Sequence, residues 1–148
     1  MSSVSNAAAQ AAAFYRDVAA HQRLWTVRDG AGFPAPLDAG GRRVLPFWST
    51  HSRVQRILKG VPAYRLHEPV ELTWAEFRDR WLPELDRQGL YVGVNPSGAR
   101  ATGLALEPDA VRWRVEHALE ARGGPPARPP RTPALPRGGL QGRAAAAR

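Results

Sequence analysis

The sequence predicts an α+β domain in which about five strands form a small, mostly antiparallel sheet packed against about four helices. Short strand patterns alternate with helical patterns in the order helix, two strands, helix, strand, helix, two strands, helix. The five tryptophans, three tyrosines and four phenylalanines all lie between Phe14 and Trp113. We therefore expect one packed domain over residues 1–120.

Residues 121–148 have a different composition and are predicted to form a disordered C-terminal tail. They contain arginine, proline, glycine and alanine in quantity, and neither an acidic nor an aromatic residue. The whole chain has 148 residues and a formal net charge of +8, most of which comes from this segment. Such a segment buries too little apolar surface to offset the entropy lost on ordering.

Several classes of protein are excluded by composition. The chain has no cysteine, which excludes a disulfide framework, a thiolate zinc site and a cysteine nucleophile. No run approaches the roughly 18 apolar residues of a membrane-spanning helix, and the first ten residues lack the basic start of a secretory signal. We therefore expect a cytoplasmic protein with no membrane contact.

The first two predicted helices flank a pair of strands. An alanine-rich helix begins at a cap formed by Ser5 or Asn6 and ends near His21. Ser49 is a candidate cap for a second helix over residues 51–59.

Between these helices, residues 24–27 and 43–48 read as strands separated by a loop rich in glycine and proline. We expect them to form an antiparallel hairpin in which Trp25 and Trp48 face each other. Pro46 indicates that its strand lies at a sheet edge or ends there, because proline cannot donate to the ladder.

The middle of the chain carries the clearest helix signal. Residues 64–66 and 70–72 are short extended candidates, and Thr73 to Glu76 has the pattern of a capping box. The helix that follows ends at Gly89, and Pro83 should kink or restart it.

A hairpin and a last helix complete the domain. Residues 90–94 and 102–106 read as strands joined by a turn over residues 95–98. Pro108 fits the first turn of a helix that ends near Glu120.

Two tryptophans on helices receive different interpretations. Trp81 lies on the apolar stripe of the third helix, and we expect it in the core. Trp113 lies between Arg112 and Arg114, so it is either a core residue, which we favour, or a contact residue for a partner.

Four short motifs occur in order along the chain: Trp25 to Asp29, Pro46 to Ser49, Phe77 with Trp81 to Pro83, and Gly89 with Val92 to Asn95. In order and spacing they resemble a bacterial family known as domain of unknown function 2750. The resemblance covers roughly Phe14 to Glu120 and implies a small stand-alone bacterial protein, with no catalytic residue to carry over. Members often have a tryptophan after the asparagine of the last motif, where Pro96 stands here.

Recognisable catalytic and metal-binding patterns are missing. The four histidines, His21, His51, His67 and His117, include no pair at one-turn helical spacing, so no metal site is predicted. No nucleophile elbow, phosphate-binding loop or dinucleotide fingerprint is present. We expect no cofactor.

Our leading hypothesis is a non-catalytic interaction module for an unknown protein partner, of the bacterial immunity-associated or stress-associated type. Loops and strand ends are where such contacts usually lie. The candidate binding surface consists of Trp25, Asp29, Trp48, Ser49 and Asn95.

Two alternatives stay open. The first is an enzyme of unrecognised type that uses a cleft near Asp29, Ser49 and His51. The second is weak, non-specific binding of nucleic acid through the basic tail, since arginines attract phosphates by releasing counterions.

Overall fold

A computed structural model of the chain describes residues 3–123 and confirms the α+β class. The predicted tail lies outside the described residues from 124 onward. The predicted domain end near Glu120 stays a prediction, although the last helix does end at Ala121. The elements are α1 Ser3–His21, β1 Arg23–Arg28, β2 Val44–Phe47, α2 His51–Gly60, a 3₁₀ turn Pro62–Tyr64, β3 Glu68–Thr73, α3 Trp74–Glu76, a π-helical segment Phe77–Trp81, α4 Leu82–Arg87, β4 Tyr91–Ser97, β5 Thr102–Leu106 and α5 Pro108–Ala121.

The described strands form two small sheets rather than the single sheet expected. In the first sheet β1 pairs with β3 in antiparallel fashion. In the second the order is β2, β4, β5, with β2 parallel to β4 and β4 antiparallel to β5. Pairing is thus mostly antiparallel, and β2 occupies a sheet edge, as predicted from Pro46.

The predicted hairpin of the first two strands is wrong, and Pro46 supplies the reason. Trp25 and Trp48 do face each other, with two backbone hydrogen bonds of 2.8 Å. The next hydrogen-bonded pair would join Val27 to Pro46, and proline has no N–H to give. Instead, the Thr26 hydroxyl donates to the Pro46 carbonyl at 2.8 Å. The two strands separate after one pair and complete different sheets.

Three local predictions also need correction. Because α1 already begins at Ser3, Asn6 lies inside it, and neither Ser5 nor Asn6 marks its start. The cap of α2 is Thr50, whose hydroxyl accepts from the Arg53 N–H at 3.2 Å, whereas Ser49 bonds elsewhere. Residues 64–66 form no strand, since the chain makes a 3₁₀ turn there to bury Tyr64.

The long helix from α3 to α4 confirms its predicted start and restart. The Thr73 hydroxyl accepts from the Glu76 N–H at 3.0 Å, as a capping residue should. A π-helical segment follows, in which the Leu82 N–H bonds to the Phe77 carbonyl. The α-helix restarts at Leu82, which puts Pro83 in a first turn where its missing N–H costs little.

The main core lies between this long helix, α1, α5 and the β2, β4, β5 sheet. Trp81 is buried there, as expected, with its ring centroid 5.0 Å from that of Phe33 and 5.9 Å from that of Phe47. Trp113 is 58% exposed, so the core interpretation favoured for it is wrong. Among residues 3–123, no helix has both the length and the apolar character required to cross a bilayer.

Candidate functional site

Trp48 and Ser49 connect β2 to α2 and are completely buried. The Trp48 indole Nε1–H donates to the Pro96 carbonyl at 2.8 Å, which satisfies the only polar atom of the ring. Because the acceptor is a backbone oxygen, the bond does not depend on which side chain follows Asn95. The departure from the family pattern at Pro96 therefore leaves this contact intact.

Asn95 is turned toward the interior by a β-bulge in β4. The register between β4 and β5 shifts between Val94 and Ser97, and Asn95 has a φ of 53°. Asparagine tolerates this left-handed conformation better than most residues, and a bulge re-aims the side chain it carries. The bulge thereby points the Asn95 amide at α1 and at the start of α2.

The Asn95 amide is hydrogen-bonded at both ends. Its Oδ1 accepts from the Ser49 N–H at 2.9 Å, and its Nδ2 donates to the Ser49 hydroxyl at 3.0 Å and to the Gln10 carbonyl at 3.1 Å. The Ser49 hydroxyl in turn donates to Asp17 Oδ2 at 2.8 Å. Arg53 closes the group, since its guanidinium donates to Gln10 Oε1 and lies 3.9 Å from Asp17 Oδ2.

We call these residues, Gln10, Asp17, Ser49, Arg53 and Asn95, the polar junction. It ties α1, the start of α2 and the bulge of β4 together. Both hydrogens of the Asn95 amide and both functions of the Ser49 hydroxyl are already used. A buried, satisfied network of this kind fixes a unique packing and leaves these two side chains no free donor for a substrate.

The structure places the five residues of the predicted binding surface in different environments. Three of them are buried and make hydrogen bonds in the interior, namely Trp48, Ser49 and Asn95. Trp25, the third residue of β1, and Asp29, which follows its last residue, are half-buried. The five residues do not form one continuous exposed surface, and their role in binding stays a prediction.

The residues of the enzyme alternative bond to separate groups. Asp29 Oδ1 accepts from the Ala31 N–H at 2.9 Å, and Asp29 Oδ2 lies 3.7 Å from His67 Nε2. Ser49 is bonded inside the polar junction, and His51 is exposed beside Trp25, with 5.9 Å between ring centroids. Within residues 3–123 no hydrogen bond joins any two of Asp29, Ser49 and His51.

An open cleft of about 510 Å³ lies in front of Trp25. Ser49 and His51 both line it, but the Ser49 hydroxyl faces Asp17 and Asn95 in the polar junction. Arg23, also on its wall, is paired with Glu71 at 2.8 Å. The cleft thus presents the Trp25 ring beside the exposed His51.

The largest exposed aromatic surface of the described helices lies on α5. The Trp113 ring stacks on that of His117, with centroids 4.9 Å apart and planes 8° from parallel. The Arg114 guanidinium lies 5.9 Å from the centroid of Trp113 and 5.8 Å from that of Tyr15. Burial raises the pKa of the Tyr15 phenol, and the positive charge of Arg114 opposes that shift. We call Tyr15, Trp113, Arg114 and His117 the Trp113 face.

Sequence reasoning missed three members of the polar junction, namely Gln10, Asp17 and Arg53. One signal was present, because Gln10 and Asp17 are two helical turns apart on α1 and so share a face. That face also carries the apolar residues Phe14 and Val18, so a polar pair on it needs a buried partner. The side-chain partners are Arg53 for Gln10 and Ser49 for Asp17. Both lie too far along the sequence for local patterns to reveal.

The described part of the chain offers no group of three histidine or acidic side chains able to hold a metal ion. Comparison with known families gives one finding: the family described as "Protein of unknown function (DUF2750)" matches residues 11–114. Neither the curated proteins nor the solved structures give a match.

Proposed function

We propose that this chain, which belongs to the DUF2750 family, is a non-catalytic protein-interaction module that contacts its partner through the Trp113 face. The observation that carries the proposal is the exposure of Trp113, 58% of whose surface reaches solvent on an ordered helix. Exposing a large aromatic ring to water forgoes the favourable free energy of burying it. A partner that covers the ring would recover that free energy.

The geometry of the Trp113 face suits it to recognition. Stacking on His117 holds the indole in one orientation, so that less conformational entropy is lost on binding. Tryptophan and arginine are also the residue types enriched among the side chains that dominate binding energy. Trp113 and Arg114 therefore form a preorganised pair.

The charge beside the ring indicates the kind of partner that fits. The Arg114 guanidinium lies 5.9 Å from the centroid of Trp113, and no ion pair within residues 3–123 uses it. A protein segment with one carboxylate next to an apolar side chain would meet both this cation and the ring. We infer that the partner presents such a segment.

The other predictions from the sequence have less support. Contact through Trp25 and Asp29, an immunity or stress role and a cytoplasmic location stay predictions. The enzyme alternative also stays a prediction, and Asp29, Ser49 and His51 bond to separate groups. Binding of nucleic acid by the tail concerns residues outside the described range.

The test uses the full chain as bait for proteins from its native host, followed by calorimetric titration of the purified partner. Trp113→Ala is compared with Leu66→Ala, since Leu66 is an 87% exposed apolar residue on a different part of the surface. We expect Trp113→Ala to weaken binding by about thirtyfold and Leu66→Ala to leave it unchanged. Equal affinity of the Trp113→Ala variant and the unaltered chain would overturn the proposal.

A further inference from the structure

β5 is an unprotected sheet edge. It is the last strand in the order β2, β4, β5, and its first three residues are exposed. Its five residues, Thr102 to Leu106, include no charged residue and no proline. Leu104 is 38% exposed, so an apolar side chain stands at the middle of this edge.

The other described sheet edges are protected in the usual ways. β3 contains Pro69 and two glutamates, Glu68 and Glu71, which pair with arginines on β1. β2 contains Pro46, and the bridge between Trp25 and Trp48 pairs the backbone directly after the last residue of β2. Charges, proline and cover are the devices by which proteins prevent edge-to-edge pairing. Their absence from β5 therefore points to pairing there.

We infer that β5 pairs with β5 of a second copy of this chain in antiparallel register about Leu104. In that register Leu104 meets Leu104 of the second copy, and Gly103 lies opposite Ala105. The small side chains of Gly103 and Ala105 let the backbones approach, and the three-stranded sheets of the two copies join into one sheet of six strands.

The charges at the ends of β5 favour a second copy as the occupant. Arg100 precedes the strand and Glu107 follows it, and both are exposed. No ion pair within residues 3–123 uses either of them. Antiparallel pairing brings Arg100 of each copy beside Glu107 of the other, so that opposite charges meet at both ends. Parallel pairing would place like charges together.

Self-association of the full chain is measured by sedimentation velocity at about 0.15 M salt, which screens repulsion between the net positive charges. An edge contact between two five-residue strands buries a small area, so we expect a weak dimer that becomes visible at protein concentrations of about 0.1 to 1 mM. Leu104→Lys should abolish it. Leu66→Lys, the matched change at another exposed leucine, should have no effect.

Charge reversal makes the test specific for the register. Arg100→Glu and Glu107→Arg should each weaken the dimer by about tenfold or more, and the double variant should restore it. Gly103 is avoided, because a Cβ there would lie 3.2 Å from Pro96 Cα and strain the fold itself. Thermal melts of each variant establish that it is folded.

Three outcomes would overturn the inference: a monomer at every concentration, no rescue by the double variant, or equal loss in Leu66→Lys. Protection of β5 amides from hydrogen exchange only when a different protein is added would assign the edge to a foreign strand instead. Trp113→Ala should leave the dimer unchanged, so failure here is separate from failure of the Trp113 face.

Discussion

The polar junction and the Trp113 face use similar residue types in opposite ways. Trp48 and Asn95 come from motifs that suggested a surface, yet they are buried with their polar atoms satisfied. Trp113 was expected in the core, yet its ring lies in solvent on His117. Residue type alone therefore did not decide exposure. Exposure depended on whether the fold places hydrogen-bonding and packing partners around each side chain.

The largest effect should separate buried from exposed tryptophan. Trp81→Ala removes a ring packed against Phe33 and Phe47, and we expect it to lower the free energy of unfolding by about 3 to 5 kcal/mol. Trp113→Ala should change that free energy by less than about 0.5 kcal/mol. Denaturant unfolding measures both. A comparable loss in the two variants would mean that the Trp113 face is part of the core.

A smaller loss is expected at Asn95, where backbone and side-chain contributions can be separated. Asn95→Ala removes the hydrogen bonds to Ser49 and Gln10 and also puts alanine, which tolerates a left-handed backbone less well than asparagine, at a φ of 53°. We expect it to cost about 2 to 4 kcal/mol of unfolding free energy. Asn95→Gly loses the same bonds but accepts the conformation, so it should be more stable than Asn95→Ala by about 1 kcal/mol. If Asn95→Gly were the less stable variant, the bulge conformation would be wrong.

The smallest effects distinguish the junction serine from the helix cap next to it. Ser49→Ala leaves Asp17 and the Asn95 amide each short of one partner, which we expect to cost about 1 to 3 kcal/mol. Thr50→Ala removes only the cap of α2, at a cost of about 1 kcal/mol.

Double variants then separate the two roles of these neighbouring residues. The losses of unfolding free energy caused by Thr50→Ala and Asn95→Gly should add in the double variant. The losses caused by Ser49→Ala and Asn95→Gly should not add, because Ser49, unlike Thr50, bonds to Asn95. Additivity of the second pair would mean that the polar junction does not act as a unit.

Local patterns predicted the fold class and most element positions well. The capping residue Thr73, the restart near Pro83 and the hairpin of β4 with β5 all depend on residues close together in sequence. The face of α5 was also within reach. Val111 and Val115 are buried, and Trp113 is two positions from each. Residues two positions apart on a helix point to nearly opposite sides, so Trp113 has to face away from the core.

Long-range pairing was not predictable from local patterns. The Trp25–Trp48 contact suggested a hairpin, and only the absence of an N–H on Pro46 stops the ladder after one pair. The partner of Asn95 is Ser49, and no local periodicity connects them. The candidate site therefore depended on contacts that a single sequence specifies but does not display.

The parallel pairing of β2 with β4 has a consequence for how the chain folds. Val44 pairs with Tyr91 and Phe47 with Val94, so nearly the whole middle of the chain lies in the loop that this pairing closes. Closing a long loop costs entropy before its contacts return any free energy, and such topologies fold slowly. We expect α1, α2 and the β4–β5 hairpin to form early. Docking of β2 onto β4, with the Ser49–Asn95 bonds that secure it, would then be the late step that sets the folding rate.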